Sequence, residues 1–418
     1  MTTDSIKKII KEQGVAGAVL HYGARFLSKA EKQVIGRFAK RFCKTRENLL
    51  VFKNRQGLDF TDNPRAFFEY LTENGYQEKY EMVWLVSDPG AFKGKKYKNV
   101  KFVTAENRYG WNSCRAYYYA ATAKYFFYTH NTEDLLDYGC SGRTVVNLWH
   151  GCGYKGAEAQ GKRSVRTSFD YGLVPGPLFA KTKAAAWNCE KEKILTLGYP
   201  RYDWMLHPGL SREEALWRLF RKKARAAVIW MPTFRKSVLG GCREGEIQLP
   251  YQLPALESEE ELKELDGFLK QADMLLIIKK HPLQTGWMCR EQGFSNVCYV
   301  TEELLAEAGL QLYQLLGLMD GLISDYSSAA VDFMLLDRPI AYVLTDFSEY
   351  KEKRGFVFQD PLVYMPGEKV YDGDGIRTFL THVMEGKDLY KEERAALMPV
   401  MHNPAKNYSR RLADRLGL

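Results

Sequence analysis

The chain has 418 residues, 45% hydrophobic and 27% charged, with no low-complexity tract. That is a globular composition with room for two domains of ordinary size. No apolar run nears the roughly 18 residues of a transmembrane helix; the eight cysteines form no C-x-x-C pair and the seven histidines show no ligand spacing, which argues against a membrane span, a disulfide scaffold and a zinc site and for reduced thiols in a cytosolic protein.

The net charge of +9 is uneven, because residues 1–50 hold eleven Lys/Arg against four Asp/Glu. Val15 to Leu20 is apolar but short, and a basic amphipathic segment follows it, so a cleaved signal is not expected. Leu27, Val34, Ile35, Phe38 and Phe42 recur at helical spacing, with Lys29, Lys32, Arg37, Lys40 and Arg41 between them. Such a helix suits an anionic membrane surface. It equally suits packing of the apolar stripe on a domain with the basic face in water. Nucleic acid is a third reading of the charge, and no recognised nucleic-acid motif supports it.

Apolar runs then predict strands at Leu49–Phe52, Met82–Val86, Lys101–Val103, Tyr125–Tyr128 and Val145–Trp149. Asp62-Asn63-Pro64 opens a helix after the first of them, with Asp62 or Asn63 as cap and Pro64 in the first turn. The alternation restarts after residues 207–224, which read as His-Pro-Gly and then a basic helix. Strands follow at Ala227–Met231, Met274–Ile278, Gly321–Ile323 and Ile340–Leu344, with helices from a capping box at Ser258 and Glu261 and over Ala329–Leu336. Residues 236–256 read as a long irregular loop. The expectation is α/β: two Rossmann-like domains facing a central cleft, over 49–207 and 208–390. Residues 1–48 form the basic amphipathic helical segment ahead of them. Residues 391–418 form a C-terminal helix that crosses back to the N-terminal domain.

Polar clusters fall where these strands end, which is where such sheets bind ligands. His150-Gly151-Cys152-Gly153-Tyr154-Lys155-Gly156 combines a group that titrates near neutrality with a positive charge and glycines that allow close backbone approach. A glycine turn with a structural histidine fits as well. Arg201 in Gly198-Tyr199-Pro200-Arg201-Tyr202-Asp203 suits a phosphate or a carboxylate partner. Thr233 and Arg235 follow one strand, and Lys280 and His281 another. Ser324-Asp325-Tyr326-Ser327-Ser328 sits where a strand turns into a helix, so Asp325 or Ser327 caps the helix, or the hydroxyls hold an anion there. Together these basic, hydroxyl and imidazole groups suit a phosphate-rich anionic substrate. No G-x-x-x-x-G-K-[ST], G-x-G-x-x-G or G-x-S-x-G is present, nor a carboxylate cluster for two metals.

In this order and spacing the motifs resemble the CDP-glycerol glycerophosphotransferase family, the teichoic acid primases and polymerases. The resemblance covers most of residues 50–415. It rests on Asp62-Asn63-Pro64, Trp149-His150-Gly151 with Lys155, the 198–203 motif, Pro232-Thr233-Phe234-Arg235, His281-Pro282, Ser324 to Ser328 with Asp332, and Arg338-Pro339. It implies a GT-B fold and peripheral attachment to the inner face of a bacterial membrane. It also implies transfer of an alditol phosphate from a CDP-alditol to a hydroxyl of a lipid-linked polymer acceptor, without metal or other cofactor, releasing CMP. The family's motif histidines carry over to His150 and His281, and its phosphate site to Asp325, Ser327 and Ser328. Thr233 and Arg235 are expected on the donor side, and Gly151, Lys155, Arg201 and Asp332 around the substrate. Three departures leave the donor and acceptor open. Cys152-Gly153-Tyr154 stands where Thr-Pro-Leu is frequent, Tyr202 where Asn is, and Phe234 where Trp is. The short stretch ahead of the first domain fits a primase or a short transferase better than a polymerase.

Overall fold

The structure is a computed structural model that describes residues 14–15, 17, 19, 23, 34–39, 41–54, 60–94, 97–106, 112–130, 139–156, 169–232, 253–256, 258–279, 293–353 and 355–418. Thirteen strands among them form two sheets. The first holds β1 (Arg46–Lys53), β2 (Glu81–Val86), β3 (Val100–Thr104), β4 (Ala123–Tyr128), β5 (Thr144–Asn147), β6 (Tyr171–Leu173) and β7 (Ile194–Leu195), in the order β3-β2-β1-β4-β5-β6-β7. The second holds β8 (Ala226–Trp230), β9 (Met274–Lys279), β10 (Val297–Val300), β11 (Gly321–Ser324), β12 (Ile340–Val343) and β13 (Glu368–Val370), in the order β10-β9-β8-β11-β12-β13. Every pairing is parallel. These are two Rossmann-type sheets, as the alternation of strand and helix predicts. The order reverses between β1 and β4 and again between β8 and β11, and each reversal opens a crevice at the carboxyl ends of the strands.

The apolar runs become central strands because both faces are covered. In β8 and β9, Ala227, Ile229, Leu275 and Ile277 enter a core that runs through both domains. The alternating residues Val228, Trp230, Leu276 and Ile278 enter a second core on the far face, as the two-residue period of a strand requires. Helices Glu259–Gln271 and Gly373–Met384 cover that far face.

Three local expectations change. Strands β6, β7, β10 and β13 have two to four residues and no distinct apolar run announces them. β5 stops at Asn147 rather than Trp149, because Asn147 Oδ1 accepts from the Trp149 amide at 2.9 Å and turns the chain. Thr61, not Asp62 or Asn63, holds the cap position of the helix Asp62–Glu73, and both expected caps are used elsewhere. Residues 236–252 of the expected loop lie outside the described residues, while Leu253 and Leu256 are buried in the far-face core.

The chain leaves the first sheet after β7 and enters the second at β8. Helix Tyr202–Leu206 crosses helix Leu312–Gly317 so closely that a Cβ on Gly317 would lie 2.0 Å from the Met205 carbonyl oxygen. Two helices, Lys391–Met401 and Tyr408–Leu416, end the chain. The second lies on the first sheet's side: the Asp203 carboxylate accepts from the Tyr408 and Ser409 amides at 2.6 and 2.8 Å, and the Tyr125 hydroxyl donates to the Leu416 carbonyl. Asp203 thus caps this helix with a negative charge at its N-terminus.

Candidate functional site

The carboxyl ends of the two sheets meet through the loop after β5. Asn147 turns the chain into Trp149, which takes a left-handed φ of 54° and is held there by its indole Nε1 donating to the Gly151 carbonyl at 2.7 Å. A non-glycine residue in this region costs on the order of 1–2 kcal/mol. The kink points His150 across the end of the sheet, where Asn63 Nδ2 donates to the Leu148 and Trp149 carbonyls at 3.3 and 2.8 Å. Asn63 Oδ1 also accepts from the Arg201 amide at 3.1 Å. One buried side chain therefore ties the helix after β1, the loop after β5 and the Arg201 turn together.

The loop continues into the second domain. A Cβ on Gly151, whose φ is 130°, would lie 2.5 Å from Ser328 Oγ. A Cβ on Gly153 would lie 2.8 Å from the Ser328 amide nitrogen. Only glycine lets the backbone approach this closely. Lys155 then pairs with Phe356 in an antiparallel bridge, flanked by bonds from the Gly156 amide to the Gly355 carbonyl (3.0 Å) and from the Val357 amide to the Tyr154 carbonyl (2.9 Å). Tyr154 is fully buried and its hydroxyl donates to the Tyr364 carbonyl at 2.8 Å. Burial pushes its pKa well up, so it stays a donor.

Across from the glycines, β11 ends at the β8–β11 reversal, where Ser324 Oγ donates to the Met231 carbonyl at 3.0 Å. Asp325 and Tyr326 have no exposed surface. Tyr326 is anchored among Phe347, Tyr350 and Phe356, and its hydroxyl donates to Asp346 Oδ1 at 3.0 Å. That anchor leaves Ser327 and Ser328 half-buried against the glycine loop. Ser327 caps the helix Ser328–Phe333 by accepting from the Ala329 amide at 3.3 Å, which settles the choice of cap between Asp325 and Ser327.

His150 packs against Trp149, ring centroids 4.0 Å apart, and stacks on His130 at 4.1 Å. Desolvation, then His130, then Lys183 hold its pKa well below the ordinary imidazole value, and Arg201 adds to this. A ring kept neutral near pH 7 is a proton acceptor, which is the state a general base needs. Lys183 itself lies over the faces of Trp149 and Trp187, 4.5 and 5.4 Å from their centroids.

Arg201 and Asp332, both expected around the substrate, come together beside the glycine loop, where a Cβ on Gly151 would lie 3.2 Å from Arg201 Nη2. Asp332 is wholly buried and accepts from Arg201 Nη2 at 2.7 Å and from the hydroxyls of Tyr202 and Tyr313. Arg201 Nη1 donates to Asp62 Oδ1 at 2.7 Å, and the guanidinium lies 4.1 Å from the Tyr313 ring centroid. Burial alone would depress the pKa of Arg201; Tyr313, Asp62 and Asp332 more than offset it and keep the group charged. Both Nη groups are thus committed to carboxylates, and the cluster joins the two domains. A buried guanidinium has to keep its counter-charges, and these carboxylates supply them. Thr233, Arg235 and His281 lie outside the described residues. His130 is the neighbour that sequence reading passed over, and Asp62, expected as a helix cap, pairs with Arg201 instead. His130 stands just past a strand end, as His150 does, which was the available signal.

Two Rossmann-like domains facing a crevice are the GT-B architecture, and here His150 stands on one side of that crevice and the capped start of the helix Ser328–Phe333 on the other. The model of the family described as CDP-Glycerol:Poly(glycerophosphate) glycerophosphotransferase matches residues 36–416, and the chain belongs to this family. It is 26% identical to the teichoic acid glycerol-phosphate transferase of Staphylococcus aureus over 374 residues, 83% of this chain and 87% of that one. It is also 26% identical to a teichoic acid poly(glycerol phosphate) polymerase of Bacillus spizizenii over 332 residues, 75% and 78% of the two chains. Its fold superposes on a solved variant of the wall teichoic acid polymerase TagF soaked with CDPG, with TM-score 0.72, 19% identity and coverage of 100% and 98%.

Proposed function

We propose that this protein transfers an alditol phosphate, glycerol phosphate first among them, from a CDP-alditol to a hydroxyl of a lipid-linked or polymeric acceptor in the synthesis of teichoic acid or a related surface polymer. The acceptor oxygen bonds to the β-phosphorus, the bond from that phosphorus to the bridging oxygen breaks, and CMP leaves with that oxygen. The acceptor proton goes to His150. The observation that carries this reading is His150, packed between Trp149 and His130 beside the glycine loop that abuts Ser327 and Ser328. Ser327, Ser328 and the start of their helix hold the diphosphate in this reading, with Thr233, Arg235 and His281 on the donor side. Lys155, Arg235 and that helix start offset the phosphate charge without a metal ion, so turnover is expected to survive EDTA.

Support for the donor comes from the family match and from the relatives, both of which act in teichoic acid synthesis by name. The test is nucleotide release by the purified chain, read as CMP from CDP-glycerol and CDP-ribitol and as UDP or GDP from UDP-sugars and GDP-sugars. CDP-alditol turnover supports the reading, and turnover confined to a nucleotide sugar overturns it.

The proposed site of action is the inner face of the bacterial membrane, reached without a span. No helix among the described residues is long and apolar enough to cross a membrane. Residues 34–39 and 41–42 are helical and present two faces. Ala39 is 3% exposed and Ile35 packs on the core, while Val34, Phe38 and Phe42 are 69%, 59% and 66% exposed beside Arg37 and Arg41. Apolar side chains set among arginines suit an anionic lipid surface.

A further inference from the structure

His130 lies outside the motifs that carry the resemblance, yet it is built into the site as firmly as His150. Strands β4 and β5 are neighbours, and each is followed within three residues by one of these histidines. The two rings lie face to face, 4.1 Å between centroids and 11° from parallel. A chain of hydrogen bonds fixes their hydrogens. Asn54 Nδ2 donates to the Thr61 carbonyl at 3.0 Å, which turns Asn54 Oδ1 toward Thr129. Thr129 Oγ1 donates its single hydrogen to that oxygen. Toward His130 Nδ1, 2.8 Å away, the hydroxyl therefore accepts, and His130 Nδ1 carries a hydrogen. His150 Nδ1 lies 3.4 Å from the Thr129 carbonyl, which also only accepts. Thr129 thus sets the same tautomer in both rings and leaves Nε2 as the basic nitrogen of each.

We propose that His130 is a positioning residue for proton transfer at His150: its stacked ring, pinned through Thr129 and Asn54, fixes the plane and tautomer of His150 and restricts the pair to one proton. The proposal rests on the reading of His150 as the base. Two imidazolium rings at this separation repel, so the rings titrate as a pair. The groups facing His150 are His130 and the Thr129 carbonyl beyond β4, Lys183 on the helix Pro177–Ala186, Arg201 ahead of the helix Tyr202–Leu206, and the Trp149 ring. Among them His130 alone is an imidazole, the side chain whose ordinary pKa lies near neutrality. With the acceptor's proton on His150, a neutral His130 leaves that charge tolerable; with His130 already protonated, the transfer is opposed.

The test is a pH titration of the full chain labelled with nitrogen-15 histidine, reading the ring-nitrogen shifts of wild type, His130→Asn and His130→Phe, with His150→Gln to identify the His150 signals. His130→Asn retains a donor toward Thr129 and removes the ring; His130→Phe retains a stacked ring and removes the charge. The expected result is the Nδ1–H form of both rings in wild type. The His150 midpoint is expected to rise by about half to one pH unit in both variants, and the acid limb of kcat/KM to move with it. An Nε2–H form of His150, a His150 midpoint common to all three proteins, or a uniform loss of rate with an unmoved acid limb overturns the proposal. The nitrogen shifts need no substrate, so they decide the role of His130 even where the turnover assay goes against the phosphotransferase reading.

Discussion

At the scale of single residues, the chemistry depends on His150 staying neutral. Its pKa is lowered by desolvation, by His130 and by Lys183. The active, unprotonated form therefore persists as pH falls past the ordinary imidazole value of about 6.5, and is lost only at the depressed pKa. The acid limb of kcat/KM is expected below about pH 6.5, and a limb above it would contradict the assignment. His150→Gln is expected to lower kcat/KM by about 10²–10⁴-fold, as loss of a general base does. Gly153 is a second pressure point, because a Cβ there meets the Ser328 backbone at 2.8 Å. Gly153→Ala is expected to cost about 1–3 kcal/mol in chemical denaturation and to weaken donor binding. His150 and the glycines were legible in the sequence because they follow an apolar strand within a few residues. The partners of Arg201 were not, since Asp62 and Asp332 lie 139 and 131 positions away along the chain.

At the scale of elements, the central strands could be read because β1, β2, β4, β8 and β9 are runs of large apolar residues buried on both faces. Edge strands such as Ile194–Leu195 are too short to carry a pattern. The junction of Asp332, Arg201, Tyr202 and Tyr313 is the element-scale feature with the largest energetic consequence. Removing one partner leaves a buried charge without compensation, so Asp332→Ala is expected to destabilise the protein by about 3–5 kcal/mol in urea unfolding. Adding Arg201→Met to it is expected to cost less than the sum of the two single changes, because the second change removes the stranded charge. Additive losses would mean that the two residues do not interact as the geometry states. The same junction limits how far the crevice can open without breaking a buried ion pair.

At the scale of the whole molecule, two Rossmann-type sheets aim their carboxyl ends at one crevice, and the C-terminal helix returns to the first domain through Asp203. The crossing back was an expectation of the domain layout, while nothing local in residues 391–418 specifies where they dock. Acid stability is a whole-molecule property here. His150 and His402 both have lowered pKa values, led in each case by burial. The unfolded chain binds protons at these positions before the folded one does. Stability is therefore expected to be full above about pH 6.5 and to fall as pH drops below it toward the depressed values. Urea midpoints measured from pH 8 to pH 5 check the sign, and midpoints that rise as pH falls would contradict it. Replacing Val34, Phe38 and Phe42 by serine is expected to abolish flotation with anionic vesicles while leaving soluble-acceptor turnover intact.

The central claim is tested most directly by incubating the purified chain with CDP-glycerol and a lipid-linked acceptor and measuring CMP and product mass together. The account predicts CMP release matched by an acceptor heavier by one or more glycerol phosphate units, with both lost in His150→Gln. CMP release that matches undiminished in a folded His150→Gln variant, or no transfer from any CDP-alditol alongside turnover of a nucleotide sugar, would contradict it.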